Sequence, residues 1–224
     1  MADGDFSDHS DTYEESLGKS HKYFLRVKSE ELLAVMNSHF GLGSSGIKCL
    51  DLGCGTGEIE EILPDLDTLG VDVTRGMLLQ TMSKELDGSF IQASACALPL
   101  KDSTFDVIFT MSMVHHISGD EDRDCLFTET SRVLKRGGLL VIFEHNPHNP
   151  VTRLIVSRCP LDRNARLISA GEVRGYYQKH GIRHLATRYI TFFPKLLSML
   201  RPIEQAIAFI PLGGQYYILG KVEK

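Results

Sequence analysis

Leu50-Asp51-Leu52-Gly53-Cys54-Gly55-Thr56-Gly57 ends an apolar run in an acid and then sets three glycines at alternate positions. Such a run reads as a buried strand that turns tightly, stripped of side chains so that backbone can approach a ligand closely. Glu58 onward (Glu-Ile-Glu-Glu-Ile-Leu) can start a helix whose amide end faces the turn. A dinucleotide loop of the G-x-G-x-x-G form needs its third glycine at position 58, where this chain has Glu, so the spacing disfavours a nicotinamide cofactor. Further on, Asp67-Thr-Leu-Gly-Val-Asp72 repeats the pattern of a short strand ending in a carboxylate, with Thr74 as a helix cap. Asp72 can accept both hydroxyls of a ribose; the plainer reading is a helix-capping or solvated acid, and its register with the glycine loop favours the first.

Outward from these stretches, strand and helix alternate, which predicts an α/β fold with a mostly parallel sheet covered on both faces. Strands are expected near 47–52, 67–72, 89–92, 105–111 and 138–144, and helices near 57–63, 75–86 and 119–135, the last stopped by Lys135-Arg136-Gly137. A helix over 20–40 places Leu25, Leu32, Leu33, Met36 and Phe40 on one face and stops at Gly41. Ser169-Ala-Gly-Glu172 is a capping box, opening a helix that ends at Gly181. Further strands are expected near 182–192 and 215–222.

These residues resemble the class I S-adenosylmethionine-dependent methyltransferases, of the small-molecule, methyltransferase type 11-like kind. Asp51-Leu-Gly-Cys-Gly-Thr-Gly57 matches the family's first motif and Gly70-Val-Asp-Val-Thr-Arg-Gly-Met77 its second. Ala97-Leu-Pro-Leu-Lys-Asp-Ser-Thr-Phe-Asp-Val-Ile108 leads into its fourth strand, and Leu134-Lys-Arg-Gly-Gly-Leu-Leu-Val-Ile142 approaches its fifth. The resemblance implies a Rossmann-like doubly wound sheet of seven strands, mostly parallel with an antiparallel last strand, 182–192 and 215–222 being the antiparallel sixth and seventh. It also implies S-adenosyl-L-methionine as cofactor. Gly53, Cys54, Gly55 and Gly57 would line its methionine and ribose portions, Asp51 would lie near its amino end and Asp72 would bind the ribose; Val73, Met77 and Met111 complete the set. Many relatives carry an acid beside the adenine after the third strand, whereas this chain reads Gln92-Ala-Ser94-Ala95-Cys96; there Ser94 could accept from the adenine amino group and the Ala95 amide could face the ring.

At 224 residues and 42% hydrophobic, the chain can bury one substantial core, and a single methyltransferase domain over 1–224 is expected. The acidic start, Met1-Ala-Asp-Gly-Asp-Phe, reads as neither a secretory signal nor a transit peptide, and no apolar run reaches bilayer length. Cys49, Cys54, Cys96, Cys125 and Cys159 are odd in number and lack C-x-x-C spacing, so reduced thiols in a cytoplasmic protein are expected, with neither zinc nor disulfides implied. By the same resemblance, residues 1–40 would form an N-terminal lid and helix, in which Tyr13 or Tyr23 could fold over the cofactor, ordinary helix packing being the plainer reading of Tyr23 and Phe24.

Substrate identity is expected in two segments outside the minimal scaffold, 144–168 and 192–214. The first holds His145-Asn-Pro-His148-Asn-Pro150, where Asn149-Pro150 can start a short helix. In the second, Pro194 can open a helix with Leu196, Leu200, Ile203, Ile207 and Ile210 on one stripe, interrupted at Pro202; packing on the sheet is the plainer reading of that stripe, a lipid- or substrate-facing surface the other. The net charge of −5 hides an asymmetry: residues 1–131 carry 9 Lys and Arg against 24 Asp and Glu, whereas 132–201 carry 13 against 3. The basic part would concentrate an anionic acceptor, small or lipid-linked, with Arg153 and Arg163 as its ligands, unless these arginines pair with the acidic part or with a second subunit. Nucleic acid is disfavoured, because the basic stretch lacks interleaved aromatics and the chain has no Trp. Peripheral contact with a bilayer and the oligomeric state stay open.

The chemistry implied is in-line attack on a sulfonium methyl, helped mainly by holding the reactants collinear in a dry pocket. A hydroxyl acceptor also needs a base, and the candidates are His115 and His116 after the fourth strand, and Glu144, His145 and His148 after the fifth. His116, His145 and His148 are the expected catalytic set. Neighbours on a loop point apart, so at most one of His115 and His116 is expected to face substrate. The alternative function is a noncatalytic cofactor-binding or regulatory subunit on the same fold.

Overall fold

The computed structural model describes residues 21–41, 46–86 and 88–223. Tyr13 and most of the expected lid lie outside them. The elements are α1 (His21–Phe40), β1 (Cys49–Leu52), α2 (Glu58–Ile62), β2 (Thr68–Asp72), α3 (Arg75–Ser83), β3 (Ser89–Gln92), β4 (Phe105–Met111), α4 (Asp120–Val133), β5 (Leu134–His145), α5 (Pro150–Arg158), α6 (Ala170–Lys179), β6 (Ile182–Ile190), α7 (Arg201–Ile207) and β7 (Gln215–Val222). Seven strands form one sheet in the order β3-β2-β1-β4-β5-β7-β6. The first five pair in parallel, and β7 inserts antiparallel between β5 and β6. Only β7 therefore runs against the sheet; β6, expected to be antiparallel, opposes β7 alone and shares the direction of β5.

Alternating side chains bury both faces of this sheet, as a parallel sheet between two helical layers requires. Leu50, Leu52, Ile108, Leu140, Ile142, Tyr216 and Ile218 join Leu126 and Phe127 of α4 and Tyr177 of α6 on one side. Cys49, Val107, Phe109, Val141, Phe143 and Tyr217 join Leu25, Leu32 and Met36 of α1 on the other. Gly41 ends α1 in the left-handed region (φ 92°), its amide donating to Asn37 O at 3.0 Å. The capping box at Ser169 and Glu172 is formed on both sides.

Three local expectations change. Helix α4 stops at Val133, and β5 starts at once, because Leu134 already pairs with Phe105; the register then breaks before Val107, and Gly137 (φ 82°) takes up the slack. Thr74 occupies the N-cap of α3 but makes no side-chain cap; its amide donates instead to Asp72 Oδ1 at 2.8 Å. The segment after Pro194 is a 3-10 turn, Lys195–Leu200, followed by α7, with Pro202 in the first helical turn. Its apolar stripe is only partly covered: Leu200, Ile207 and Ile210 are half-buried, whereas Leu196 is 92% exposed and Ile203 49%, and Met199, off the stripe, is 83% exposed. The buried residue of α7 is Glu204, whose carboxylate accepts the Phe193 amide at 2.9 Å.

Arg123 of α4 is 1% exposed and ties the crossover after β4 to the chain before α6. Its Nε donates to Ile117 O and its Nη2 to Arg166 O, both at 2.6 Å. Removing a buried donor leaves two carbonyls unpaired, so Arg123→Ala should cost about 2–4 kcal/mol in urea-unfolding free energy. A loss below 0.5 kcal/mol, on the order of an ordinary surface substitution, would show that the two carbonyls find other donors.

Candidate active site

The glycine loop leaves β1 with Gly53, Gly55 and Gly57 all in the left-handed region, at φ 85°, 55° and 72°. A side chain at Gly53 would also run into Met113 on the loop after β4. The turn is braced from β2: Val71 O accepts the amides of Gly53 and Cys54 at 2.7 and 3.1 Å, and Asp72 Oδ2 accepts the Gly55 amide at 2.9 Å. Asp72 thus holds the loop and the start of α3, and its carboxylate oxygens keep further lone pairs for a ribose. Val73 lies exposed beside it, and Met77 is buried on the core side of α3. Ser94 spends its hydroxyl on its own turn, accepting the Cys96 amide at 3.2 Å, with Ala95 half-buried next to it.

Asp51 is 1% exposed, and its Oδ1 has no hydrogen-bond donor among the described residues; the same holds for both oxygens of Glu60, 6% exposed. Burial, then the charges of Glu60 and Asp72, push Asp51 well above the usual carboxylate range, while burial lifts Glu60 to about 7. Two buried acids with carboxylate oxygens left without donors suit a cationic guest. S-adenosylmethionine, which the motifs imply, carries an ammonium and a sulfonium, so the residues present fit it.

Helix α1 reaches over the same end of the sheet. Its buried Lys28 donates to Ser112 Oγ at 2.7 Å, and Ser112, at the end of β4, is held at φ 63°. Burial pulls the Lys28 ammonium down to about 8, against the attraction of Glu144, Glu58 and Asp51. His21 Nε2 lies 2.8 Å from Glu58 Oε2. Lys28 was not foreseen, yet the sequence does hold a signal, a lysine set between Leu25 and Leu32 within the buried stripe of an amphipathic helix.

The ends of β4 and β5 converge on Glu144, which is fully buried. Oε1 accepts the amides of Val114 and His115 at 2.7 and 3.3 Å, and Oε2 lies 2.6 Å from His115 Nδ1 and accepts the His145 amide at 3.3 Å. On the far side of the ring, His115 Nε2 is 3.3 Å from Asp162 Oδ1, and His116 Nε2 is 3.6 Å from the same oxygen. Burial opposes a charge on His115, but Glu144 and Asp162 outweigh it and raise its pKa to about 9; despite its own burial, Glu144 is held near 2 by His115. His145 is pushed down to about 3 by burial and by the charges of His115 and Lys28.

The rings of His115 and His116 lie 4.1 Å apart instead of pointing away from each other, because the 3-10 turn Val114–His116 directs both at Asp162. Only one is open: the side chain of His115 is 1% exposed and that of His116 24%. His145 joins the cluster, its ring 5.1 Å from His115. His148 does not; it is exposed, with its amide on Asn146 Oδ1. Asp162, from the turn Pro160–Asp162, was also not foreseen, since nothing in its sequence neighbourhood marks it. Arg153 on α5 and Arg163 next to Asp162 are exposed, and Met111 is half-buried at the end of β4.

Glu60 makes the pair with Asp51 testable without an acceptor. Its folded pKa near 7 lies above the ordinary 4.5, so the folded chain holds an extra proton between those values. Stability from this group is fully present below about 4.5 and is lost as pH rises through about 7. Denaturant midpoints of the ligand-free chain should therefore fall between pH 5 and pH 8, and Glu60→Gln should flatten that fall and gain stability at pH 8. Parallel curves for the two proteins would mean that Glu60 is solvated.

A model of the methyltransferase domain matches residues 50–142, from the glycine loop to the middle of β5. The demethylmenaquinone methyltransferase of Thermotoga maritima is 39% identical over 185 residues, covering 74% of this chain and 72% of that one. A ubiquinone/menaquinone biosynthesis C-methyltransferase of Campylobacter jejuni is 33% identical over 107 residues, 44% of each chain. Among solved structures, a Thermotoga maritima S-adenosylmethionine-dependent methyltransferase described as a possible histamine N-methyltransferase superposes with a TM-score of 0.68, covering 96% of this chain and 97% of that one. At 19% identity that likeness speaks to the fold alone. The motifs, the sheet order and the Thermotoga relative agree, and the chain belongs to the class I S-adenosylmethionine-dependent methyltransferases.

Proposed function

We propose that this methyltransferase acts on an anionic acceptor with an apolar body, either small or lipid-linked, bound between α5 and the 195–212 segment. The observation that carries this reading is a set of exposed cations on the segment after β5 that also supplies Asp162. Arg166, Arg183 and Arg201 pair with Asp120, Glu223 and Glu30, whereas Arg153, Arg158 and Arg163 are exposed and make no ion pair among the described residues. They share their surface with exposed Val151, Leu154 and Ile155 of α5. The loop carrying exposed Leu212 is stitched to that helix by Asn149 Nδ2 on Leu212 O at 2.7 Å and by Thr152 Oγ1 on Gly214 O at 2.8 Å. A relative named for a quinone agrees with an apolar acceptor. No helix of the described residues is long and apolar enough to cross a membrane. Free thiols suit a cytoplasmic setting, and the chain is read as one domain over 1–224, with 144–168 and 192–214 on the substrate side.

The cofactor supplies an already activated methyl group, so the protein's work is placement. Asp51 meets the cofactor's ammonium and Lys28 its carboxylate, Asp72 takes the ribose hydroxyls, and Gly53, Cys54, Gly55 and Gly57 let backbone approach. Ser94 and Ala95 face the adenine, with Val73, Met77 and Met111 completing the walls. His116 takes the acceptor's proton, steadied by Asp162. His145, with its pKa near 3, is a feeble base, and His148 stands apart.

Two measurements test this. Lys28→Met should weaken S-adenosylhomocysteine binding at least tenfold by calorimetry, about 1.4 kcal/mol; unchanged affinity removes Lys28 from the site. Across matched neutral and anionic acceptors, the parent should prefer the anion, Arg153→Ala and Arg163→Ala should raise its KM about tenfold at similar kcat, and His116→Ala should lower kcat roughly a hundredfold for hydroxyl acceptors. An absence of charge preference, or arginine variants with the parent's KM, sinks the anionic acceptor.

A further inference from the structure

We infer that His115, His116 and Asp162 form a binding site for a divalent transition-metal ion of the zinc type. The three donors come from two separated stretches of chain, yet one ligand atom from each of His115, His116 and Asp162 lies within 4.8 Å of the other two. The Asp162 oxygen is 3.3 Å from one ring nitrogen and 3.6 Å from the other. Charge-assisted hydrogen bonds close to roughly 2.7–2.9 Å, as the Glu144 contact of the same ring does at 2.6 Å, so Asp162 is drawn tightly to neither histidine. Donors held about 2.0–2.2 Å from a tetrahedral zinc stand roughly 3.3–3.5 Å apart, close to the two distances from the Asp162 oxygen to the rings.

The surroundings are those of a metal site as well. A ligating histidine commonly gives its other nitrogen to a carboxylate that fixes the ring and its tautomer, and His115 gives Nδ1 to buried Glu144 in this way. Glu144 is in turn held by three backbone amides, so the ring cannot rotate away. Two imidazoles and one carboxylate suit zinc, cobalt, manganese or iron better than magnesium or calcium, and three protein ligands leave a position open for water or an acceptor oxygen. That position lies on the solvent side, where His116 is 24% and Asp162 13% exposed. With the ion in place, His116 is a ligand, and its task of preparing an acceptor hydroxyl passes to the cation; to that extent the inference rests on the proposed acceptor side. The absence of C-x-x-C spacing has no bearing on such a site, because its ligands meet only in the fold.

The test uses the full chain stripped with a chelator and titrated with Co²⁺ and then Zn²⁺, read by visible absorption and calorimetry. One equivalent should bind with a micromolar or tighter Kd, with Zn²⁺ displacing Co²⁺. Asp162→Asn and His116→Ala should each weaken binding at least tenfold, and Glu144→Gln by 10–100-fold, the usual cost of losing a supporting carboxylate. His39→Ala, at the far end of α1, should bind like the parent. Circular dichroism identifies any variant that fails to fold, and Asp162→Asn, near the surface and isosteric, keeps the test decisive. Absence of stoichiometric binding by the parent, or binding retained by both folded Asp162→Asn and His116→Ala, overturns the site. Neither titration measures methyl transfer, so loss of the metal site leaves the proposed acceptor standing, and a neutral acceptor leaves the metal site standing.

Discussion

The Glu144 carboxylate is the point at which sheet and site are joined. It lies wholly inside the protein and accepts from the amides of Val114, His115 and His145 and from the His115 ring. A buried carboxylate is tolerable only when its oxygens are satisfied, and here the loop after β4 and the end of β5 supply all the donors. The consequence is mechanical. The His115 ring is locked with its far nitrogen toward Asp162, and His116 is the more exposed member of the pair. Replacing Glu144 with an apolar side chain would leave the Val114 and His115 amides without acceptors and release the whole corner of the site.

Electrostatics divides the site much as it divides the sequence. Around the glycine loop, Oδ1 of buried Asp51 and both oxygens of buried Glu60 have no donor among the described residues, which suits a cation-bearing cofactor. Lys28 is a buried cation brought in by α1, while Arg153, Arg158 and Arg163 are exposed on α5 and the stretch after it. The glycine loop itself sits at the C-terminal end of β1, where an open α/β sheet binds its ligands.

Much of this was legible in the sequence because it rests on local rules. The positive-φ turn needs glycines at 53, 55 and 57; the capping box at Ser169 and Glu172 and the Gly41 stop follow from the chemistry of helix ends. What escaped depends on partners distant in sequence. The early start of β5 is set by Leu134 meeting Phe105, and the direction of β6 by the insertion of β7 beside β5. Asp162 is one acid among many until the turn at Pro160 brings it to His115. The expectation that His115 and His116 point apart assumed an extended loop, whereas a 3-10 turn folds both rings toward one oxygen.

The apolar stripe after Pro194 shows how periodicity can identify a helix and still misplace its partner. Apolar residues at helical spacing are more often core than surface, and that prior pointed at the sheet. In the structure, Glu204 takes the inward position instead, because the Phe193 amide at the preceding turn needs an acceptor, and the helix is thereby rotated with Ile203 outward. Once Glu204 is committed inward, Leu196, Met199 and Phe209 face solvent. Monomeric proteins rarely leave large contiguous apolar patches uncovered without a use for them. A surface that is apolar along one segment and cationic along the next matches an amphiphile better than a fully polar metabolite, which is the physical ground for the acceptor proposed above.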